Sequence, residues 1–125
     1  VKIYLTSFAS SDLSRSADRF RKQAEKIGIY HEINIFNEND LSEEYRDYVF
    51  SLIRRGKKLG FGYWVWQSYF HRLVLSKMEE NDIYQWSDIG NHLNKNGINR
   101  LKEYIKIVSD SKSGILGFDY SKLHS

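Results

Sequence analysis

The first third of the chain carries a strand pattern, a helix pattern and a second strand pattern in succession, and this order restricts the fold more than any other feature. Residues 2–8 and 32–36 both alternate apolar and polar side chains, as strands do. Between them, apolar residues recur at steps of three and four until Gly28, namely Leu13, Ala17, Phe20, Ala24 and Ile27. Two strands joined by an amphipathic helix predict a parallel βαβ unit.

The remaining segments continue this alternation of helices and strands. Asp40 and Glu43 have capping-box spacing ahead of a helix that should run to Arg54. Further helices are predicted over residues 64–78 and 98–108, and further strands over residues 82–88 and 114–118. The sum predicts an α/β layered domain with a mostly parallel sheet of about four strands flanked by helices.

Composition excludes several classes of function. A chain of 125 residues with 41% hydrophobic residues suits a single domain, residues 1–125. The absence of cysteine removes disulfides, thiol nucleophiles and thiolate metal sites. The net charge is only +3 and the basic residues are scattered among acids, so nucleic acid is not the expected partner. The chain begins at Val1 and not at Met, so we expect a piece of a longer protein.

Asp88 is the leading candidate for chemistry, because it follows a predicted strand and precedes the backbone-permissive Gly90. Ligands of open α/β sheets bind at the carboxyl ends of strands. A carboxylate there can hold Mg²⁺ or Mn²⁺ against a nucleotide diphosphate, and His92 can add a ligand. The alternatives are that Asp88 caps the following turn and that His92 is merely packed or solvated.

The aromatic run over residues 61–66 is the second candidate. Aromatic faces stack on bases and sugar rings, and Gly60 and Gly62 would let a ligand approach the backbone of a loop. Tyr63 and Trp64 are therefore candidate ligand contacts, although they can also be core residues at the start of a helix. For Trp66, which begins an apolar stripe, the core interpretation is favoured.

Two polar groups complete the candidates. Arg54, Arg55, Lys57 and Lys58 can attract a diphosphate or an anionic membrane surface, or they can form a solvated helix end. Thr6 and Ser7, at the end of the first strand, would border a nucleotide as in any nucleotide-binding α/β sheet. Neither a P-loop nor a dinucleotide fingerprint is present in the sequence.

Three segments in order resemble a known family. They are Gly-Tyr-Trp-Val-Trp-Gln-Ser-Tyr at residues 62–69, Ser-Asp-Ile-Gly-Asn-His-Leu-Asn at residues 87–94, and Arg-Leu-Lys-Glu-Tyr at residues 100–104. This order resembles bacterial glycosyltransferases of capsule and lipopolysaccharide assembly, which usually read Gly-Tyr-Trp-x-Trp-Lys-Pro-Tyr and Asp-x-Gly-Cys-x-Leu-Asn. Here Gln67 stands for the usual Lys, Ser68 for Pro and Asn91 for Cys, and Gly90 stands where an Asp-x-Asp signature has its second acid.

The resemblance implies a three-layer Rossmann-like (GT-A-like) domain that binds a nucleotide-sugar donor. The sugar would pass to a glycan or lipid-linked acceptor in the cytoplasm, at the inner face of the membrane, where the protein would associate peripherally. The implied donor-binding residues are Thr6, Ser7, Tyr63, Trp64, Asp88, Gly90 and Asn91, with Asp88 and His92 as metal ligands for Mg²⁺ or Mn²⁺. The alternatives are a non-catalytic glycan- or nucleic-acid-binding module and an inactive fragment.

Overall fold

The structure is a computed structural model that describes residues 1–54 and 59–117, with side chains for all of these except 49, 50, 52–54 and 59–65. The chain divides into two compact units, Val1–Leu93 and Asn94–Ser125. The sheet and its flanking helices belong to the first unit, whereas the last helix belongs to the second. The assignment of all 125 residues to a single domain stays a prediction.

Helices separate the strands along the described chain, with two of them between the second and third strands. The strands are β1 (Ile3–Phe8), β2 (Glu32–Phe36) and β3 (Ile83–Trp86). The helices are α1 (Ser14–Ile27), α2 (Glu43–Arg54), α3 (Leu59–Leu75) and α4 (Ile98–Asp110). Within the described ranges, no helix is both long and apolar enough to cross a membrane.

Over the described residues the sheet has three parallel strands, in the order β2-β1-β3. The central strand β1 aligns Thr6 with Asn34 on one side and with Trp86 on the other. The predicted βαβ unit and the parallel sheet are therefore confirmed, and the layout is compatible with a Rossmann-like fold.

The predicted fourth strand is wrong for residues 114–117, which are not extended into a sheet. Gly114 adopts a left-handed φ of 68°, and its N–H donates to the Ser111 hydroxyl at 3.0 Å. A left-handed residue interrupts the extended backbone that a strand requires. Phe118 lies outside the described residues.

Helix α1 covers one face of the sheet. Its buried residues Phe20 and Ala24 pack with Leu5 of β1, and Ile33 and Ile35 of β2 lie against them. The helix ends at Gly28, where a φ of 75° lets the N–H bond back to the Ala24 carbonyl. The amphipathic stripe predicted from the sequence thus faces the sheet.

Helices α2 and α3 cover the opposite face. Phe70 is fully buried and stacks on Phe36 with ring centroids 4.4 Å apart. Phe8 lies 5.0 Å from the ring of Trp66, which is itself buried. The interpretation of Trp66 as a core residue is therefore confirmed.

Two predicted helix starts are wrong. Helix α3 begins at Leu59 and not near Trp64, so Gly60 and Gly62 belong to a helix and not to a ligand-binding loop. Glycine costs a helix only about 1 kcal/mol per residue, which the apolar residues around it can outweigh. Asp40 caps a short 3-10 helix by accepting from the Asn37 N–H, and the start of α2 is capped instead by Ser42, whose hydroxyl accepts from the Tyr45 N–H.

The second unit contains helix α4, which confirms the helix predicted over residues 98–108. Before it, the Asn94 side chain caps a short 3-10 turn by accepting from the Asn96 N–H at 2.9 Å. Five apolar residues of α4 are half-buried, namely Ile98, Leu101, Tyr104, Ile105 and Val108, whereas Ile107 is exposed.

Candidate functional site

A groove of about 290 Å³ lies at the carboxyl ends of β1 and β3. Helix α1 leaves β1 over one face of the sheet, whereas the connection from β2 to β3 runs over the other face through α2 and α3. Such a change of face between neighbouring strands is the topological switch point at which α/β sheets bind ligands. The residues that line this switch-point groove are Phe8, Leu13, Gln67, Trp86, Asp88, Ile89 and Gly90.

Asp88 stands exposed at the rim of this groove, two residues after the end of β3. Its Oδ1 accepts a hydrogen bond from Nε1 of Trp86 at 3.3 Å. The following turn is closed by the backbone, where the Asn91 N–H donates to the Asp88 carbonyl at 3.0 Å. Among the described residues the carboxylate accepts no backbone N–H, so the structure does not support the turn-capping interpretation.

Residues 88–93, which we term the Asp88 loop, are divided between two environments. Ile89 and Leu93 pack on the α1 side of the sheet, against the cluster that contains Leu5 and Phe20. The side chains of Asp88, Asn91 and His92 are exposed, as is Gly90. The loop therefore holds its polar residues outward because its apolar residues are anchored inward.

Arg19 of α1 provides a second anchor for this loop. Its guanidinium donates to the carbonyl of Asn91 and to the carbonyl of Ile89, each at 2.6 Å. Gln23, one turn later, accepts from the Leu93 N–H at 2.8 Å and from Arg19 at 3.1 Å. The sequence gives no indication of these contacts, because Arg19 lies 72 and 70 positions from its two partners.

His92 points toward α1, with Nδ1 3.2 Å from Nε2 of Gln23. The described residues contain no group of three His, Cys, Asp or Glu side chains that could hold a metal ion. Asp88 and His92 thus have no third ligand of this kind among the described residues, and the Mg²⁺ or Mn²⁺ site stays a prediction. A single carboxylate such as Asp88 fits only an ion that arrives already bound to substrate phosphates.

The other predicted contacts are distributed unevenly around the groove. Gly90 lines the groove, and a side chain added there would meet no atom within 4 Å among the described residues. Thr6 and Ser7 are completely buried, so neither hydroxyl is accessible to a ligand in this structure. The backbones of Tyr63 and Trp64 lie in α3, and their side chains, like Arg55, Lys57 and Lys58, lie outside the described residues.

A polar network lies beneath Trp86 on the α3 side of the sheet. Nδ1 of His71 is hydrogen-bonded to the hydroxyl of Tyr84, and the His71 ring meets Trp86 edge-on at 4.8 Å. Burial raises the pKa of Tyr84 to about 12, and the nearby Thr6 hydroxyl offsets part of this rise. Burial also lowers the pKa of His71, so the imidazole is neutral at pH 7 and Nδ1 can accept from Tyr84.

The stability of the protein is expected to fall as the pH is lowered from 8 to 5.5, with His71 as the cause. The unfolded chain takes up a proton on His71 near pH 6.5, whereas the folded chain does so only at lower pH. His71 therefore contributes stability above pH 6.5 that is lost as the pH falls through the folded-state pKa. Urea unfolding should show a shallower pH dependence in His71→Gln than in the exposed control His92→Gln; equal slopes would contradict this assignment.

No protein-family model matches the chain, and no curated protein or solved structure is significantly similar to it. Fold similarity consequently supplies no functional assignment. The observations that bear on function are the switch-point groove, the pairing of Trp86 with Asp88 inside it, and the ordered sequence motifs.

Proposed function

We propose that the chain is the donor-binding part of a GT-A-like glycosyltransferase that takes up a nucleotide-diphosphate sugar in the switch-point groove. The sugar would be transferred to a glycan or lipid-linked acceptor in bacterial surface polysaccharide synthesis, on the cytoplasmic side of the membrane. The observation that carries the proposal is the hydrogen-bonded pair of Trp86 and Asp88 at the carboxyl end of β3, in a groove that also reaches the carboxyl end of the neighbouring parallel strand β1.

This pair suits the recognition of a sugar ring. Trp86 and Phe8 contribute aromatic surface to the groove, and such surfaces pack against the apolar face of a pyranose. The Asp88 carboxylate can accept hydrogen bonds from sugar hydroxyls, and bonds to a charged acceptor are roughly twice as strong as neutral ones. The indole N–H orients the carboxylate before the ligand arrives, which lowers the ordering cost of binding.

The diphosphate requires a separate explanation, because none of the described residues that line the groove is cationic. A bare carboxylate repels a diphosphate, so Asp88 can meet these phosphates only through a cation that accompanies them. We therefore assign Asp88 to the sugar hydroxyls and treat an ion-mediated contact as the competing arrangement. The two differ in their response to Mn²⁺, since only the second requires the ion for tight binding.

Calorimetric titration with a panel of nucleotide sugars, free nucleoside diphosphates and free sugars tests the proposal. We expect one nucleotide sugar to bind more tightly than either of its two halves, with little change when Mn²⁺ is replaced by EDTA. Loss of binding in EDTA would favour the ion-mediated arrangement. Equal affinity for every compound, or no binding at all, would contradict a donor site.

A non-catalytic glycan-binding module is the competing function, and the exposed pairing of Trp86 with Asp88 also favours it. An aromatic surface beside one carboxylate is sufficient for sugar recognition without any reaction. The module would bind an oligosaccharide as tightly as the nucleotide sugar, because the nucleotide would add no contact. The same titration panel separates the two functions.

Gln67→Lys is expected to increase donor affinity by about three- to tenfold, since it places a cation in a groove that lacks one among its lining residues. The gain should fall as salt is raised from 50 to 500 mM because added ions screen the contact with the diphosphate. Ser68→Lys is the matched control, because it adds the same charge at the neighbouring exposed position. Equal gains in both variants would show that overall charge, and not the groove, is responsible.

A further inference from the structure

We propose that Arg19 is a positioning residue that holds the Asp88 loop in its ligand-binding conformation. The guanidinium bridges two backbone carbonyls of the loop, those of Ile89 and Asn91, which flank Gly90 in the sequence. Both N···O distances are 2.6 Å, and hydrogen bonds from a charged donor are shorter than those between neutral groups. The inference deepens the proposed function and rests on it, because it gives the loop a role in donor binding.

The geometry of this contact requires arginine and not merely a positive charge. A guanidinium presents its N–H groups in a rigid fork, so one side chain can bond two carbonyls at once. A lysine ammonium is a compact charge on a flexible stem and is expected to satisfy one carbonyl well, leaving the other to water. Substitution by lysine should therefore retain only part of the effect.

Gln23 extends the same contact along the loop. Its Oε1 accepts from both Arg19 and the Leu93 N–H, and its Nε2 lies 3.2 Å from His92. Helix α1 thus contacts the backbone or side chains of four loop residues, and α1 is itself fixed on the sheet by Phe20 and Ala24. Helix α1 therefore sets the positions of Asp88 and Gly90 without lining the groove itself, since Leu13 lies just before its start.

The variants that test this role are Arg19→Gln and Arg19→Lys in the full chain. Arg15→Gln is the matched control, because Arg15 is exposed one turn earlier on the same side of α1 and makes no hydrogen bond or ion pair among the described residues. Amide hydrogen exchange gives the direct readout, since Leu93 and Asn91 donate the N–H groups that hold the loop closed. Exchange at β1 amides serves as the internal reference for global stability.

We expect Arg19→Gln to accelerate exchange at Asn91 and Leu93 by about tenfold relative to β1, and to weaken nucleotide-sugar binding by a similar factor. Arg19→Lys should give an intermediate result, and Arg15→Gln should match the wild type. If Arg19→Gln fails to fold, Arg19→Lys still distinguishes a partial loss of loop protection and donor affinity from no loss. The proposal would be overturned if both Arg19 variants had the same loop exchange rates and the same donor affinity as Arg15→Gln.

The exchange measurement does not depend on the proposed function. If the wild-type protein binds no nucleotide sugar, the donor site fails, while faster loop exchange in Arg19→Gln would still establish that Arg19 orders the loop. If the wild type binds a donor and the Arg19 variants bind it equally well with unchanged loop exchange, the positioning role fails and the donor site stands.

Discussion

Asp88→Asn is expected to weaken nucleotide-sugar binding by about ten- to a hundredfold, because hydrogen bonds to a charged acceptor contribute roughly 1.5–3 kcal/mol. Asparagine keeps the size of the side chain and an oxygen that can accept from the Trp86 indole. The substitution therefore removes the charge while leaving the arrangement of the groove in place. Calorimetric titration with the donor identified for the wild type measures the loss.

Asp18→Asn is the control for this prediction. Asp18 is exposed on α1 and does not line the groove, so this substitution removes the same charge away from the site. Its donor affinity should equal that of the wild type. The Trp86 indole N–H resonance should remain near its wild-type position in Asp88→Asn, which would confirm an intact groove. Wild-type affinity in Asp88→Asn would show that the Asp88 carboxylate does not contribute to donor binding.

Phe70→Ala is expected to produce the largest loss of stability, about 3–5 kcal/mol in the free energy of unfolding. Phe70 of α3 is fully buried against the sheet, where its ring stacks on Phe36 and its centroid lies 5.7 Å from that of Phe8. Removal of the ring loses its transfer free energy and leaves a cavity that rigid neighbours fill only in part. Urea unfolding measures the change.

Leu73→Ala, on the same helix, provides the comparison for Phe70→Ala. Leu73 is 38% exposed, so its truncation should lower the free energy of unfolding far less. Similar losses in the two variants would mean that the α3 side of the sheet is not packed as described. Phe8 also lines the groove, so donor affinity measured on Phe70→Ala reports whether core packing supports the site.

Local pattern was sufficient to predict the first βαβ unit but not the fourth strand. The apolar stripe that includes Phe20 and Ala24 has a period that only a helix satisfies, and both residues are buried against the sheet. Residues 114–117 carry strand-like side chains, yet the left-handed φ of Gly114 breaks the run. Glycine permits either backbone conformation, so the sequence alone does not distinguish them.

The start of α3 shows how local signals can compete. Gly60 and Gly62 indicate a loop by their intrinsic preference, whereas the backbone at both positions is helical. Context outweighs a preference of about 1 kcal/mol per glycine. The predicted aromatic loop is consequently part of a helix, and Trp66 lies in the core beside Phe8.

The position of Asp88 could be predicted because a strand pattern ends just before it, whereas its surroundings could not. Gln67, Arg19 and Gln23 reach the groove or the loop from helices distant in sequence, and single-sequence patterns carry no information on such contacts. Thr6 and Ser7 were predicted from their place at a strand end, but a central strand with helices on both faces buries them.

The most direct test of the central claim is the mapping of backbone and indole NMR shifts in the full chain during titration with nucleotide sugars, with and without Mn²⁺. The predicted result is a set of saturable shifts at Phe8, Gln67, Asp88 and Gly90 and at the Trp86 indole N–H, with little change in the exposed residues of α1. The contradicting result is the absence of shifts with every nucleotide sugar, or shifts confined to residues outside the switch-point groove.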